Sequence, residues 1–335
     1  MKFTVLIPAY NCAKTIRKTV DSVRQSGLSD YEILLVDDGS TDDTASVLDN
    51  LKKQFANVVV VTKENGGVSS ARNQGILQAK GEYLICIDAD DILEKNAYCE
   101  IVDLIDQYKP DMLLFGMYFD YYNNGVLYQS EALSAPEEGV FTANEIDCML
   151  PDLFRCNYLS PVWNKVFRRE MLVRNGIRFS ESLFLMEDCL FSLSCLSRCE
   201  RVFLYRKPVY HYVLSEDGKL AKRLRRINSL SEYMKPFLEL PQQYAGLTRS
   251  IYYMLLRQRI SVSIAKNELS DTAQDLIDSV FRDPAQEDTP DIHDLLTNNF
   301  AAILRRNRKR RLRHKLAVTA KTVRCRLHGN RTNNA

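Results

Sequence analysis

Short apolar runs alternate with longer amphipathic stretches over the first 115 residues. The runs are apolar enough to be buried on both faces, which is typical of parallel strands; they lie at 3–7, 32–36, 58–61, 83–87 and 112–115. Helices are predicted between them, some after a capping residue such as Thr41 or Ser69, at 13–26, 42–55, 68–79 and 94–107. Strand and helix units of this length predict an α/β fold with a mostly parallel sheet and right-handed crossovers.

The pattern changes after residue 115. A hairpin is predicted where Tyr118–Tyr122 and Val126–Gln129 flank Asn123-Asn124-Gly125, because Asn-Gly accepts the positive φ angles of a tight turn. Helices are then predicted at 143–155, 168–174 and 187–198, and short strands at 201–205 and 208–213. Helical periodicity dominates afterwards, at 227–239, 244–266, 271–281 and 292–305. We therefore predict an α/β domain over 1–220, a mainly helical region over 221–304 and a tail over 305–335.

The charge of the chain is unevenly distributed. Its 335 residues are 45% hydrophobic and 26% charged, which excludes a chain disordered throughout. The net charge of +2 conceals a contrast, because residues 305–335 hold twelve of the 45 Lys and Arg and no acidic residue, whereas residues 1–304 carry 33 basic and 43 acidic side chains. A basic tail on an acidic body predicts contact with a polyanion, either nucleic acid or an anionic membrane surface.

Cysteine content and hydropathy indicate the compartment. Nine scattered cysteines without a CxxC pair predict reduced thiols rather than a disulfide framework or a zinc site. Pro8 ends the first apolar stretch before it could serve as a signal-peptide core, and no apolar run reaches the roughly 18 to 20 residues of a membrane span. We expect a cytoplasmic protein whose contact with the membrane is at most peripheral.

Polar residues follow each of the first four predicted strands. They include Tyr10 and Asn11, Asp37 to Ser40, Asn65 to Gly67, and Asp88 to Asp91. In an open α/β sheet the carboxyl ends of the strands form the ligand site. A single acidic cluster is more often a helix cap. Two acidic clusters, an aromatic residue and a glycine pair at one edge of the sheet together predict a binding site.

The Asp88-Ala89-Asp90-Asp91 run is the candidate cation site. On extended backbone Asp88 and Asp90 would point the same way, and clustered carboxylates recruit a hard divalent cation. Mn²⁺ or Mg²⁺ held by one or two carboxylates and substrate phosphates fits this pattern, which indicates a nucleoside diphosphate ligand. The chain has no GxGxxG or GxxxxGK loop, which argues against a dinucleotide dehydrogenase and a P-loop NTPase.

These motifs resemble glycosyltransferase family 2, which has the GT-A fold. The matching segments are Val5 to Asn11, Glu32 to Asp42, Asn65 to Asn73 and Asp88 to Asp91, and the blocks Trp163-Asn164-Lys165 and Glu187-Asp188 look like acceptor-side motifs of the same family. The resemblance covers roughly residues 1–215. It implies a Rossmann-like, mostly parallel sheet with helices on both faces, and an inverting hexosyltransferase that uses a nucleotide sugar, typically UDP-linked.

The resemblance also implies roles for individual residues. Pro8, Tyr10 and Asp38 would hold uracil and ribose, and Arg72 would lie by the nucleotide or diphosphate. Asp88 would contact the ribose or the donor sugar, and Asp90 the metal. Asp188 would be the catalytic base. Inversion needs a base on the acceptor side and positive charge on the leaving diphosphate, so a carboxylate and a cation suit these roles.

Four further assignments have a structural alternative. Trp163 could stack on a sugar or be a core residue, and Lys165 could pair with the diphosphate or be solvated. Glu187 and Asp188 could simply complement a helix dipole. His211 resembles a position that supplies a metal ligand or a diphosphate contact in some relatives, although a histidine between tyrosines is more often a packing residue.

The setting that the resemblance and the tail indicate is synthesis of a bacterial surface polysaccharide such as capsule, exopolysaccharide or lipopolysaccharide, with a glycan or lipid-linked acceptor. Within the tail, which includes the basic stretch 305–326, Leu312, Leu316, Val323 and Leu327 would share one side of a helix. Such a helix would bind an anionic membrane surface, and nucleic acid is the less favoured partner. The competing functions are a nucleotidyltransferase, and a catalytically inactive protein that binds sugar or nucleic acid.

Overall fold

The computed structural model describes residues 1–123, 126–155, 157–214, 223–224, 226–227, 230–248, 250–252 and 254–255. The chain divides into two compact units. The first comprises Met1–Asp120, Ser130–Leu214 and Pro236–Leu247, and the second comprises Tyr121–Gln129, Ser215–Lys235 and Thr248–Ala335. The helices predicted at 271–281 and 292–305, the boundary predicted near 220 and the tail lie outside the described residues.

The first half of the sheet is parallel, as the apolar runs predicted. Its order is β3-β2-β1-β4, and every neighbouring pair in it is parallel. The strands are β1 (Phe3–Ala9), β2 (Tyr31–Asp37), β3 (Val58–Thr62) and β4 (Tyr83–Cys86). The helices are α1 (Ile16–Arg24), α2 (Thr44–Gln54), α3 (Val68–Gln78) and α4 (Cys99–Tyr108). Consequently the loops that follow β1, β2 and β4 emerge at one edge of the sheet.

The second half of the sheet begins with a strand that the sequence did not reveal. Strand β8 (Lys165–Arg168) lies between β4 and β5 (Met112–Asn123) and is antiparallel to both. The run at 112–115 is therefore a strand, but the prediction that it pairs in parallel with its neighbour is wrong. Four residues immediately before a helix are too few to show a strand period, which is why β8 was missed.

Three further strands bring the sheet to nine strands among the described residues, and three further helices accompany them. They are β6 (Val126–Leu133), β7 (Gly139–Phe141), α5 (Ala143–Arg155), α6 (Arg169–Arg174), α7 (Glu187–Leu196) and β9 (Val202–Leu214). β6 pairs with β5, so the predicted hairpin strands are present, while turn residues 124 and 125 lie outside the described residues. β9 is a single strand where two were predicted, and Pro208 lies within it.

The predicted helix at 227–239 is broken into two short helices, Leu230–Tyr233 and Lys235–Leu238. Pro236 occupies the first turn of the second, a position where a missing N–H is tolerated, whereas a proline inside a continuous helix would remove a hydrogen bond. A 3-10 turn follows at Gln242–Tyr244, after Pro241. The prolines explain why the helical period did not produce one long helix.

Helix α3 packs very closely on strand β1. A Cβ atom added to Gly75 would lie 2.1 Å from Cδ1 of Leu6, whose side chain is fully buried in the sheet. Only glycine permits that approach. The close contact matters because α3 carries Arg72, one turn before Gly75.

No helix in the described ranges combines the length and the apolar character that a membrane span requires.

Candidate active site

The carboxylate of Asp38 organises the loop that leads into α3. Asp38 lies directly after β2 and is buried. Its Oδ1 accepts hydrogen bonds from Lys63 Nζ at 2.7 Å and from the backbone N–H of Gly66 at 2.9 Å, and its Oδ2 accepts one from the N–H of Gly67 at 2.7 Å. Three donors thus satisfy most of the roughly four lone-pair positions of this carboxylate and hold the loop in place.

The loops that follow β1 and β2 are joined at the same edge. The side-chain oxygen of Asn11, a residue with φ of +48°, accepts a hydrogen bond from the N–H of Thr41 at 2.8 Å. The neighbouring Tyr10 is 51% exposed, and Pro8 in β1 is half-buried. An exposed tyrosine beside Asp38 offers a flat apolar face on which a base can stack.

Arg72 bridges two carboxylates that are distant in sequence. Its Nη2 donates to Asp88 Oδ1 at 2.9 Å and its Nη1 donates to Asp188 Oδ1 at 2.6 Å. The Arg72 side chain is 4% exposed, and its guanidinium carbon lies 5.2 Å from the centre of the Phe179 ring. The guanidinium is thus fixed between the end of β4 and the start of α7.

Asp188 has the electrostatic environment of a general base. Burial raises the pKa of Asp188 to about 7, Arg72 opposes the rise, and Glu187 and Asp88 add to it. The side chain is still 24% exposed, so a substrate hydroxyl can reach it. A carboxylate with a pKa near the working pH is suited to accept a proton.

The backbone before Asp188 is strained. Met186, the N-cap of α7, has φ of +67° and ψ of 10°, which is the left-handed region that a bulky side chain rarely adopts. The conformation turns the chain sharply, so that Glu187, which is 7% exposed, and Asp188 form the first helical turn. Such outliers persist where the surrounding structure holds them, often at functional sites, and no sequence signal revealed this one.

The acidic run after β4 differs from its prediction. β4 ends at Cys86, and Ala89 and Asp90 form a turn in which the N–H of Asp91 bonds to the carbonyl of Asp88 at 3.2 Å. The prediction that extended backbone aligns the Asp88 and Asp90 carboxylates is therefore wrong. Asp88 pairs with Arg72, whereas Asp90 is exposed.

Asp91, like Asp88, is half-buried. Burial raises its pKa to about 8, and the charges of Asp88 and Asp90 add to that effect. The hydroxyl of Tyr210, on β9, donates a hydrogen bond to Asp91 Oδ2. This contact fastens the acidic loop to β9, next to His211.

His211 lies between two carboxylates. Its Nδ1 is 2.8 Å from Oδ2 of Asp120, which is buried, and its Nε2 is 2.9 Å from Oε1 of Glu94. The ring stacks on Tyr118 with centroids 4.5 Å apart. Both ring nitrogens therefore have partners, and the ring is held rigidly.

Trp163 and Lys165 are core residues. Trp163 is 4% exposed and stacks on Tyr210 and Tyr212, with centroids 4.2 and 5.2 Å away. The Lys165 side chain is fully buried, and its Nζ donates to the carbonyls of Tyr158 and Pro161 and to the side-chain oxygen of Asn164. Lys165 is thus not solvated, and both side chains are packed as core residues.

A sequence model described as "Glycosyl transferase family 2" matches residues 4–169. The chain belongs to this family.

Two related proteins agree with that membership. The chain is 31% identical over 209 residues to the uncharacterized glycosyltransferase EpsJ of Bacillus subtilis strain 168, covering 62% of this chain and 60% of EpsJ. It is 29% identical over 223 residues to the poly(ribitol-phosphate) beta-glucosyltransferase of Bacillus spizizenii, covering 65% of this chain and 33% of that protein. It thus spans less than two thirds of either relative.

A third relative also has a solved structure. The poly(ribitol-phosphate) beta-N-acetylglucosaminyltransferase TarS of Staphylococcus aureus strain Mu50 is 27% identical over 222 residues, which are 65% of this chain and 36% of TarS. The crystal structure of S. aureus TarS 1-349 in complex with UDP-GlcNAc superimposes with a TM-score of 0.59 at 23% identity, covering 83% of this chain and 79% of that one. The family 2 chain therefore has the GT-A fold that its motifs predicted.

The side chains of the acidic loop and of His211 can supply some, but not all, of the ligands that a hard cation needs. Carboxylate and imidazole groups are available from Asp90, Glu94 and His211. Within the described part of the chain, no three His, Cys, Asp or Glu side chains converge as a complete metal site. Mn²⁺ and Mg²⁺ are commonly held by one or two protein groups together with substrate phosphates and water, so these residues fit a cation that arrives with a diphosphate.

Four residues of this family 2 site were missed from the sequence. Lys63 donates a hydrogen bond to Asp38, and Tyr210 donates one to Asp91. Glu94 and Asp120 lie on either side of His211. Asp120 alone carried a signal, because an acidic residue within the aromatic strand pattern of 118–122 needs a partner when it is buried.

Proposed function

We propose that the chain is an inverting glycosyltransferase that moves a sugar from a nucleoside diphosphate donor, a UDP-sugar, to an acceptor hydroxyl. The observation that carries this proposal is the bridge made by Arg72. One guanidinium joins Asp88, at the donor edge of the sheet, to Asp188 at the start of α7. A donor-side group and an acceptor-side base are thereby held at a fixed separation, which a single in-line displacement requires.

The donor half of the proposal rests on the residues after β1 and β2. Tyr10 offers an exposed ring that suits the face of uracil, and the carboxylate of Asp38 is an acceptor at the same edge that suits an N–H of the nucleoside. Pro8 borders the same edge at the end of β1. Support for UDP comes from the structure of TarS in complex with UDP-GlcNAc.

The acceptor half rests on Asp188. In an inverting displacement the hydroxyl loses its proton as it attacks the anomeric carbon, and the raised pKa of Asp188 suits a carboxylate that accepts this proton. Arg72 keeps the carboxylate oriented, and Glu187 adds negative charge that favours proton uptake. Asp188 is therefore the residue to which we assign general-base catalysis.

A divalent cation, Mn²⁺ or Mg²⁺, would neutralise charge on the leaving diphosphate. Asp90 is the first candidate to hold it, because its carboxylate is exposed at the donor edge. Arg72 is a poor candidate for the diphosphate, since both of its Nη atoms are engaged by carboxylates. The cationic help that the leaving group needs would then come from the ion.

We propose surface polysaccharide synthesis as the biological setting. Two relatives are named for the transfer of sugars to poly(ribitol phosphate), which supports this setting. An acceptor of this kind, glycan or lipid-linked, is made at the inner membrane face, and the basic stretch 305–326 would bind the anionic lipids there. Nucleic acid is not part of this proposal.

The direct test is to incubate the purified full chain with Mn²⁺ and a panel of UDP-, GDP- and dTDP-sugars, and to measure release of the free nucleotide. Slow hydrolysis of one UDP-sugar, lost in Asp188→Asn, is the expected result. Tight UDP binding with no hydrolysis or transfer from any donor would instead favour the inactive binding protein.

A further inference from the structure

The side chain of Asn73 ties helix α3 to the segment that leads into α7. Its oxygen accepts a hydrogen bond from the N–H of Phe179 at 2.8 Å, and its Nδ2 donates to the carbonyl of Phe179 at 2.9 Å. The amide thus pairs with both backbone groups of one residue, as a neighbouring antiparallel strand would. Nδ2 also donates to Oε1 of Glu181 at 3.0 Å. All of the hydrogen-bonding capacity of the NH₂ group is therefore spent on this distant segment.

We propose that Asn73 is a positioning residue for the candidate base Asp188, and that it acts by fixing the start of the segment 179–188. This inference deepens the proposed function and rests on it for the role of Asp188. It also gives a role to the last residue of the segment Asn65 to Asn73, for which the family resemblance implied none.

Two consecutive residues of α3 hold the two ends of this segment. Asn73 contacts Phe179 at its start, and Arg72 contacts Asp188 at its end, where Nη1 lies 2.6 Å from the carboxylate. Consecutive residues of an α-helix face directions about 100° apart, so the two side chains can hold separate points of the same segment. The position of the base relative to α3 therefore depends on both contacts.

The ring of Phe179 carries the restraint into the site. It is buried and stacks on Phe191, with centroids 3.8 Å apart and 4° between the ring planes. Phe191 lies on α7, about one helical turn after Asp188. The guanidinium carbon of Arg72 lies 5.2 Å from the centre of the Phe179 ring. Fixing the backbone of Phe179 thereby restrains both the helix that carries the base and the arginine that contacts it.

The segment needs a fixed start because it ends in a strained turn. Met186 has φ of +67°, and its carbonyl accepts the hydrogen bond from the N–H of Leu190, at 3.0 Å, that closes the first turn of α7. A bulky residue keeps such a conformation only where the surrounding structure holds it. With the start of the segment released, Met186 would relax toward ordinary backbone angles and displace Asp188.

The contacts require an amide at position 73. Asn73→Ala removes all three hydrogen bonds. Asn73→Asp keeps the size of the side chain and an acceptor for the N–H of Phe179, but it removes both donors and places a negative charge beside the carbonyl of Phe179 and the carboxylate of Glu181. Both variants should release the segment, and the second does so without creating a cavity.

The experiment compares the full chain with Asn73→Ala and Asn73→Asp by hydrogen exchange and mass spectrometry, over peptides that contain Phe179 and Leu190. Titration with UDP measures the donor affinity. Hydrolysis of the nucleotide sugar that the donor panel selects, divided by the fraction of protein that binds UDP, gives the turnover. Asn175→Ala is the matched control, because Asn175 also donates to a backbone carbonyl, that of Met171 at 2.8 Å, but at the end of α6.

We expect exchange at Phe179 and at Leu190 to be at least about tenfold faster in both Asn73 variants, the size expected from the loss of one or two hydrogen bonds. Turnover should fall about 10- to 100-fold, because a small misplacement of a reacting group has effects of this size. UDP affinity should not change. A purely structural role would lower the fraction that binds UDP and leave the turnover of that fraction unchanged. Asn175→Ala should match the wild type in all three measurements.

Unchanged exchange at Leu190 in both Asn73 variants, or faster exchange with unchanged turnover, would overturn the positioning role. Equal effects in Asn175→Ala would also overturn it, since they would show a general loss of stability. If the wild type hydrolyses no nucleotide sugar, the proposed function fails by itself. Faster exchange at Leu190 in the Asn73 variants alone would then still support the restraint on the turn that carries Asp188.

Discussion

Arg72 and Asp188 form an ion pair of 2.6 Å between residues 116 positions apart in the sequence. The pair crosses from α3, in the parallel half of the family 2 domain, to the first turn of α7. The other Nη of Arg72 is 2.9 Å from Asp88. A residue that the resemblance placed by the nucleotide thus contacts the candidate base directly.

Arg72→Lys should lower turnover by about 100-fold, because an ammonium keeps the charge but cannot bridge Asp88 and Asp188 together, and small misplacements of reacting groups have effects of this size. Steady-state kinetics on the nucleotide sugar that the donor panel selects would measure this loss. Arg168→Lys is the control, since Arg168 pairs with Glu82 and Asp111 away from the site. Equal losses in both variants would show that the effect is one of stability alone.

Asp188→Asn should lower turnover by roughly two to four orders of magnitude with little change in UDP affinity, since it removes a proton acceptor and keeps the shape. In the wild type, kcat/KM should rise with pH and level off above about 7, because the base works only when it is deprotonated and its pKa is raised to about 7. The variant should lack this rise. A collapse of UDP binding with normal turnover of the bound donor would refute the assignment.

Asp90→Ala should abolish transfer and weaken UDP binding in the presence of Mn²⁺, because it removes a candidate cation ligand. Isothermal titration with UDP, with and without Mn²⁺, separates the two effects. Asp49→Ala, at an exposed position of α2, is the control. Full activity of the wild type in EDTA would count against metal dependence altogether.

Lys165→Met tests whether Lys165 acts on structure or on the diphosphate. It leaves the carbonyls of Tyr158 and Pro161 and the side chain of Asn164 without their buried donor, so the free energy of unfolding should fall by about 1–3 kcal/mol. UDP affinity of the folded fraction should not change. Thermal denaturation measures the stability and titration with UDP measures the affinity. Unchanged stability with a loss of UDP affinity would instead support a role for Lys165 at the diphosphate.

Deleting residues 305–335 should move the protein from the membrane fraction to the soluble fraction and preserve activity on a soluble acceptor, since each Lys or Arg near an anionic surface contributes about 1 kcal/mol. Sedimentation with anionic and with neutral liposomes measures the binding. Deleting only 328–335, which leaves Arg305 to Arg326 and Leu327 in place, is the matched control. Unchanged binding after the longer deletion would exclude the tail as the anchor.

The sequence predicted the parts of the site that depend on local pattern. Runs such as 32–36 and 83–87 located the strand ends, and the polar residues behind them do meet at one edge. The partners of those residues depend on packing between distant segments. Arg72 meets Asp188 only because α7 is brought to α3, and no local period encodes that contact.

Short and exposed elements were the least predictable. Strand β8 has four residues, too few for a period, and its insertion between β4 and β5 changes the pairing of both. Glu94 is 66% exposed in an irregular loop and looked like any solvated acid. The turn at Ala89 and Asp90 separated two carboxylates that an extended chain would have aligned.

The glycine at position 75 limits how this protein can be made more heat-resistant. Replacing a mid-helix glycine with alanine ordinarily stabilises a protein by about 0.5–1 kcal/mol, so Gly75 would be an early choice for an engineer. Here the added methyl would meet the side chain of Leu6 at 2.1 Å and push α3 away from β1. Because Arg72 lies on α3, a substitution chosen for helix propensity would lengthen the ion pairs of Arg72 with Asp88 and Asp188.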